Sequence, residues 1–112
     1  MQWWRSVGST HTAFATECFL DEIAREAKKD PYELRRALLT KHPRHKAVLE
    51  AAAQKAGWGK PLPAGRARGI AVHESFNTFV AQVVEISQKK IERVVCAVDC
   101  GVAVNPNIIA MQ

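Results

Sequence analysis

No apolar run in this 112-residue sequence approaches the roughly 18 residues that a membrane-spanning helix needs. No basic stretch followed by an apolar one opens the chain, so no targeting signal is visible. Cysteine is scarce and odd in number, at three, which argues against a complete disulfide framework. The thiols read instead as reduced, small and buried, with Cys18 serving as helix packing. Aromatic residues make up 7% of the chain, and none is interleaved with its main basic cluster, which speaks against nucleic acid as a partner. Internal repeats and low-complexity tracts are absent too.

What remains is the composition of an ordinary globular chain, 47% hydrophobic and 24% charged, with a net charge of +5. At this length it makes one domain with a modest core. The positive charge concentrates in Arg35, Arg36, Lys41, Arg44 and Lys46, with His42 and His45 among them. The cluster reads as a solvated helical face, or alternatively as the patch of a small basic binding module for an acidic partner.

Apolar spacing predicts α+β architecture: three N-terminal helices followed by an antiparallel sheet of about three strands. Residues 1–11 read as a loop. The first helix runs from about Thr12 to Lys28, with Ala15, Phe19, Leu20, Ile23, Ala24 and Ala27 on one stripe. Asp30-Pro31-Tyr32-Glu33 opens the second, with Asp as N-cap, Pro at N1, and Leu34, Ala37 and Leu38 facing inward. His42-Pro43 starts the third, built on Val48, Leu49, Ala52, Ala53 and Ala56 and stopped by Gly57. Gly57–Gly65 is a linker by composition. Strands are predicted over Gly69–Glu74, Phe76–Ser87 and Ile91–Asp99, with Ser87–Lys90 as a hairpin turn. Apolar pairs such as Val83-Val84 imply a sheet covered on both faces, the second cover lying outside this sequence. The chain thus divides into a helical part (1–57), a sheet part (66–100) and a turn (101–112).

Two loops are richer in special residues than a small domain needs. Asp99-Cys100-Gly101-Val102-Ala103-Val104-Asn105-Pro106 contains a residue suited to φ > 0, one that bonds its own backbone, and one that fixes φ. Gln112 follows, with an amide able to donate and accept together. Trp4-Arg5-Ser6-Val7-Gly8 has small residues that let a ligand approach the backbone, and an arginine suited to an oxyanion. His11, close by, stands where a helix start attracts anions. Cys96 and Cys100, with His73, have the look of a metal motif, but positions four apart on a strand are roughly 13 Å apart. His73-Glu74-Ser75 reads as structural rather than as a triad, because neighbours on a strand face opposite ways.

Taken together, Trp4–Gly8, Ala15–Ala24, Asp30–Arg35, Arg68–Phe76 and Asp99–Pro106 resemble the large molybdenum-binding subunit of the xanthine oxidase family. The branch it is most similar to is the isoquinoline 1-oxidoreductase beta subunit, also described as a membrane-associated aldehyde dehydrogenase. In the family an aromatic-Arg-Gly-aromatic-Gly loop leads into a helix with a Glu near its first turns; here Ser6 and Val7 replace the Gly and second aromatic. The resemblance implies a fragment of a molybdenum-cofactor-binding domain. The parent would oxidise N-heterocycles or aldehydes with water-derived oxygen, using molybdenum on molybdopterin cytosine dinucleotide and an iron–sulfur partner subunit. It would be bacterial, associated with the cytoplasmic membrane or periplasmic. Arg5, Ser6, Val7, Gly8 and Gln112 are the implied cofactor-binding residues, with Asp99, Gly101 and Asn105 shaping the last turn. No residue here takes the catalytic-base or metal-ligand role, so the isolated chain is expected to be inactive and without cofactor.

Overall fold

Asp30 accepts hydrogen bonds from the backbone N–H groups of Tyr32 and Glu33, and Gly57 takes the left-handed conformation at φ 71°. These local signals set the helix boundaries in the computed structural model, which describes residues 5–111. The element order is α1 (Ser9–Glu26), α2 (Pro31–Leu38), a single 3₁₀ turn (Leu39–Lys41), α3 (Pro43–Ala56), β1 (Arg66–Ser75), β2 (Thr78–Ser87), β3 (Lys90–Asp99) and α4 (Pro106–Met111). The three strands form an antiparallel meander in the order β1-β2-β3. The α+β expectation holds, with a short fourth helix added after the sheet and the first helix starting at Ser9 rather than about Thr12.

Both hairpins turn through two residues with φ > 0, as a type I′ turn requires: Phe76 and Asn77, then Gln88 and Lys89. The second is the turn that the sequence predicts, whereas at the first the sequence predicts the start of a strand. Phe is a poor residue for this conformation, and Asn77 is the more natural occupant.

α3 lies on the inner face of the sheet. Val48, Leu49, Ala52, Ala53 and Ala56 pack there against Ile70 and Val72 of β1 and Phe79, Ala81 and Val83 of β2. The predicted inner stripe of α3 is therefore the core. On the outer face, Val94 and Val98 are exposed among the described residues and Val84 is half-buried. The cysteines are not buried as expected: Cys18, Cys96 and Cys100 are all exposed free thiols.

The inner sides of α1 and α2 also differ from the apolar prediction. Phe19 and Ile23 are exposed, as are Ala37 and Leu38. Arg35, placed by sequence in a solvated basic face, is instead 1% exposed. Its Nε donates to Glu17 Oε2 at 2.8 Å, and it donates further to the Glu17 and Pro31 carbonyls. Asp21 adds a second carboxylate at 2.8 Å. Glu17 Oε2 also accepts from the Val72 backbone N–H of edge strand β1 at 2.9 Å. Helical spacing could not show this, because a charged pair scores as surface until both partners are seen.

Candidate functional site

In an antiparallel meander the end of β1, the start of β2 and the end of β3 meet at one end of the sheet. That topology brings together three sequence motifs that lie far apart in the chain. The loop before α1 lies against the β1–β2 hairpin, and the two enclose a cleft of about 650 Å³. Arg5, Ser6 and Ser9 line one side of it and His73, Ser75 and Phe76 the other. Beside the same hairpin, the Asp99 turn is fastened by Arg44 at the start of α3. Arg44 Nε and Nη2 donate to the two Asp99 oxygens at 2.8 and 2.9 Å, and Nη1 donates to Asn77 Oδ1 at 2.8 Å.

The loop is strained. Ser6 and Val7 both have φ > 0, at 64° and 46°, without the glycine that makes such geometry cheap. Each such residue costs of the order of 1–3 kcal/mol, and strain of this kind clusters at ligand sites. The Ser6 carbonyl accepts from the Ser9 N–H at 2.8 Å, and the Thr10 hydroxyl donates to the Arg5 carbonyl at 2.8 Å. These bonds hold the loop as a turn running directly into α1.

Arg5 is exposed and has no carboxylate partner among the described residues. Opposite it, His73 Nε2 is buried and has no hydrogen-bond partner among the described residues. An orphaned ring nitrogen, a free guanidinium and several hydroxyls on one cleft suit a ligand rich in oxygen or nitrogen. Of the predicted site residues, the fold places Arg5 and Ser6 on the cleft, while Val7 and Gly8 form the turn behind it. Gln112 lies outside the described residues. His73 and Ser75 share the cleft and Glu74 points elsewhere, accepting from the Asn77 N–H, so no triad forms. Reading the sequence alone misses Thr78 and the place of His73 on the cleft lining.

The last turn has the construction expected of it. Gly101 adopts φ 77°, its N–H donates to Asp99 Oδ1 at 2.9 Å, and Asn105 Oδ1 accepts from the Asn107 N–H at 3.1 Å. The Arg44 hydrogen bonds and then the Gly101 N–H hold the Asp99 carboxyl down at about 2. Asp99 is thus a fixed strut for the turn rather than a free ligand-binding group. His45, whose ring centroid lies 4.6 Å from that of Phe79 in an edge-on arrangement, is shifted below its usual range by burial and then by His42. Among the described residues no group of three His, Cys, Asp or Glu side chains is placed to hold a metal ion. No described helix is long and apolar enough to cross a membrane.

The curated relatives that the chain matches carry oxidoreductase names. The chain is 34% identical to the beta subunit of isoquinoline 1-oxidoreductase from Brevundimonas diminuta, over 96% of its own length and 15% of the relative's. It is 34% identical to a membrane-bound aldehyde dehydrogenase (pyrroloquinoline-quinone) of Gluconacetobacter polyoxogenes over 94% of the chain and 17% of the relative. A nicotinate dehydrogenase subunit from Pseudomonas putida is 30% identical over 98% of the chain and 11% of the relative. The similarity runs along nearly the whole chain, which spans between 11% and 17% of the length of these relatives. No family model matches it. No solved structure matches it.

Proposed function

We propose that the chain is a segment of the molybdopterin-binding subunit of an oxidoreductase acting on N-heterocycles or aldehydes with water-derived oxygen. The observation that carries this reading is the cleft beneath the Arg5–Gly8 loop, where the motif of the resemblance coincides with strained backbone, an unpaired guanidinium and an orphaned imidazole nitrogen. Those residues fit the edge of a large polar cofactor, molybdopterin cytosine dinucleotide, and supply only part of its shell. When bound, that group supplies the two-electron oxidation. Arg5 donates charge-assisted hydrogen bonds to oxygen on cofactor or substrate, and the Ser6–Gly8 turn allows close approach to the backbone. Gln112, assigned by the resemblance, donates and accepts through its amide, while Asp99, Gly101 and Asn105 hold the turn before it. The helical, sheet and turn parts (1–57, 66–100 and 101–112) act as one portion of that domain, completed by the rest of the same polypeptide and by an iron–sulfur partner. The bacterial parent works at the cytoplasmic membrane or in the periplasm. The isolated chain is inactive and retains no cofactor.

The test is molybdenum content after purification of the full-length protein with its partner. Arg5→Ala and Gln112→Ala should each lower metal content, since a lost buried polar partner costs about 1–3 kcal/mol. Cys96→Ala, which alters an exposed thiol, should retain it. Equal metal content in all three would remove Arg5 and Gln112 from the site, and an intact full-length protein lacking molybdenum altogether would overturn the cofactor itself.

A further inference from the structure

At the opposite end of the sheet, where β1 and β3 begin and α3 ends, lies a second cleft of about 390 Å³. Its charged lining is Lys55, Lys60, Arg66, Arg68 and Arg93 against a single carboxylate, Glu85. Glu85 is buried and already committed: Arg68 Nη2 donates to its Oε1 at 2.9 Å and Arg93 Nη1 at 3.4 Å. The free carbonyls at the end of α3 are taken too. Arg68 donates to the Gly57 carbonyl at 2.9 Å, and Arg93 to the Lys55 and Ala56 carbonyls at 3.0 and 3.4 Å. Two arginines thus offset the negative end of the α3 dipole.

After these pairings, positive charge remains. Lys55 and Lys60 have no carboxylate within 4.0 Å among the described residues. Arg66 reaches Glu92 only at 3.8 Å. The Arg68 side chain is only 10% exposed, yet its Nε–H is buried without a partner among the described residues. A buried charged donor left unsatisfied is costly, and a cleft that sets one beside two ammonium groups suits an anionic ligand. The wall is ordered for the purpose: the Lys60 stem lies 3.2 Å from where a Cβ on Gly57 would stand, and Pro61 and Pro63 stiffen the segment that sequence alone marked as a linker.

We propose that this cleft is an anion site for a phosphate-bearing ligand, held by Lys55, Lys60 and Arg66 at its mouth and by Arg68 Nε–H from within. A phosphate offers enough acceptor oxygens to meet two ammonium point charges and a guanidinium edge together. The site stands independently of the function proposed above, since it shares no residue with the Arg5 cleft.

The test is calorimetric titration of the chain with inorganic pyrophosphate at low ionic strength, with amide NMR shifts to locate it. Saturable binding is expected, with the largest shifts at Gly57, Lys60 and Arg68. Lys55→Gln/Lys60→Gln should weaken it at least tenfold, while Lys41→Gln/Lys46→Gln, near the far end of α3, should leave it unchanged. Because Arg68 also braces α3, Arg68→Lys is read only alongside an unchanged circular dichroism spectrum, and should weaken binding severalfold although the charge is kept. Sedimentation with phosphatidylglycerol vesicles that is lost in the Lys55/Lys60 variant assigns the phosphate to a lipid headgroup; pyrophosphate binding without sedimentation assigns it to a soluble ligand. Absence of saturable binding, or equal loss in both lysine variants, would overturn the site.

Discussion

α3 lays Val48, Leu49, Ala52, Ala53 and Ala56 against the sheet, whereas α1 buries only Glu17 and Ala24. The two helices are thus held by different forces. α3 is fixed by apolar area, which is non-directional and tolerates small adjustments. α1 is fixed through Arg35, Asp21 and the Val72 N–H, bonds that demand one geometry. The helix carrying the Arg5–Gly8 loop is the one positioned by directional bonds, which suits a loop that must stand in one place over a cleft. The same Glu17 carboxylate closes a free N–H on edge strand β1, protecting that edge from unwanted pairing.

The sharpest way to break this comparison is Glu17→Ala. It removes one of the two carboxylates on buried Arg35 and the acceptor of the Val72 N–H, leaving Asp21 as the remaining charge partner, a change that costs about 1–3 kcal/mol. Amide hydrogen exchange should show α1 and α2 losing protection while α3 and β2 keep theirs. Uniform loss across all four elements would show that the molecule has one cooperative core and that the contrast between α1 and α3 is false.

A smaller effect is expected at the Asp99 turn. The folded carboxyl sits at about 2, below its ordinary 3.8, so it binds protons less readily than in the unfolded chain. Its stabilising contribution is therefore fully present above 3.8 and is lost as pH falls towards about 2. In Arg44→Met the carboxyl should titrate close to the ordinary value, and the variant's stability should depend less on pH over that window. Carbon-detected NMR titration of Asp99 reads both; an unmoved midpoint would assign the shift to the Gly101 N–H instead of Arg44.

The smallest effect belongs to the α1 face that the sequence marks as apolar. Phe19 is 61% exposed, and Phe19→Ser should change stability by no more than about 0.5 kcal/mol in chemical denaturation. A loss several times larger would mean that this face is covered in solution, and α1 would then share the apolar anchoring of α3.

Much of the frame was legible in the residues. Asp30-Pro31, His42-Pro43 and Gly57 mark helix limits because caps and turns are short-range chemistry, decided within a few residues. The α3 stripe was legible because it has one partner and one face. The α1 stripe misled in part: Ala24 is buried and Leu20 half-buried, but Ala15, Phe19, Ile23 and Ala27 are exposed while the Glu17 carboxylate faces in, a choice set by Arg35 eighteen positions away. The cleft was half legible: Arg5 and Ser6 announced themselves by composition, but His73 acquired its place only from the pairing of β1 with β2.

Local patterns in the chain were enough for the α+β order, the caps, the second hairpin, the special turn after Asp99 and the kinship with oxidoreductases. Which charges are buried, which thiols are exposed and which distant loops meet depended on the assembled fold. The cause is range. Backbone preferences and capping act between neighbours, whereas ion pairs such as Glu17–Arg35 and Asp99–Arg44 depend on where the folded chain brings residues 18 and 55 positions apart.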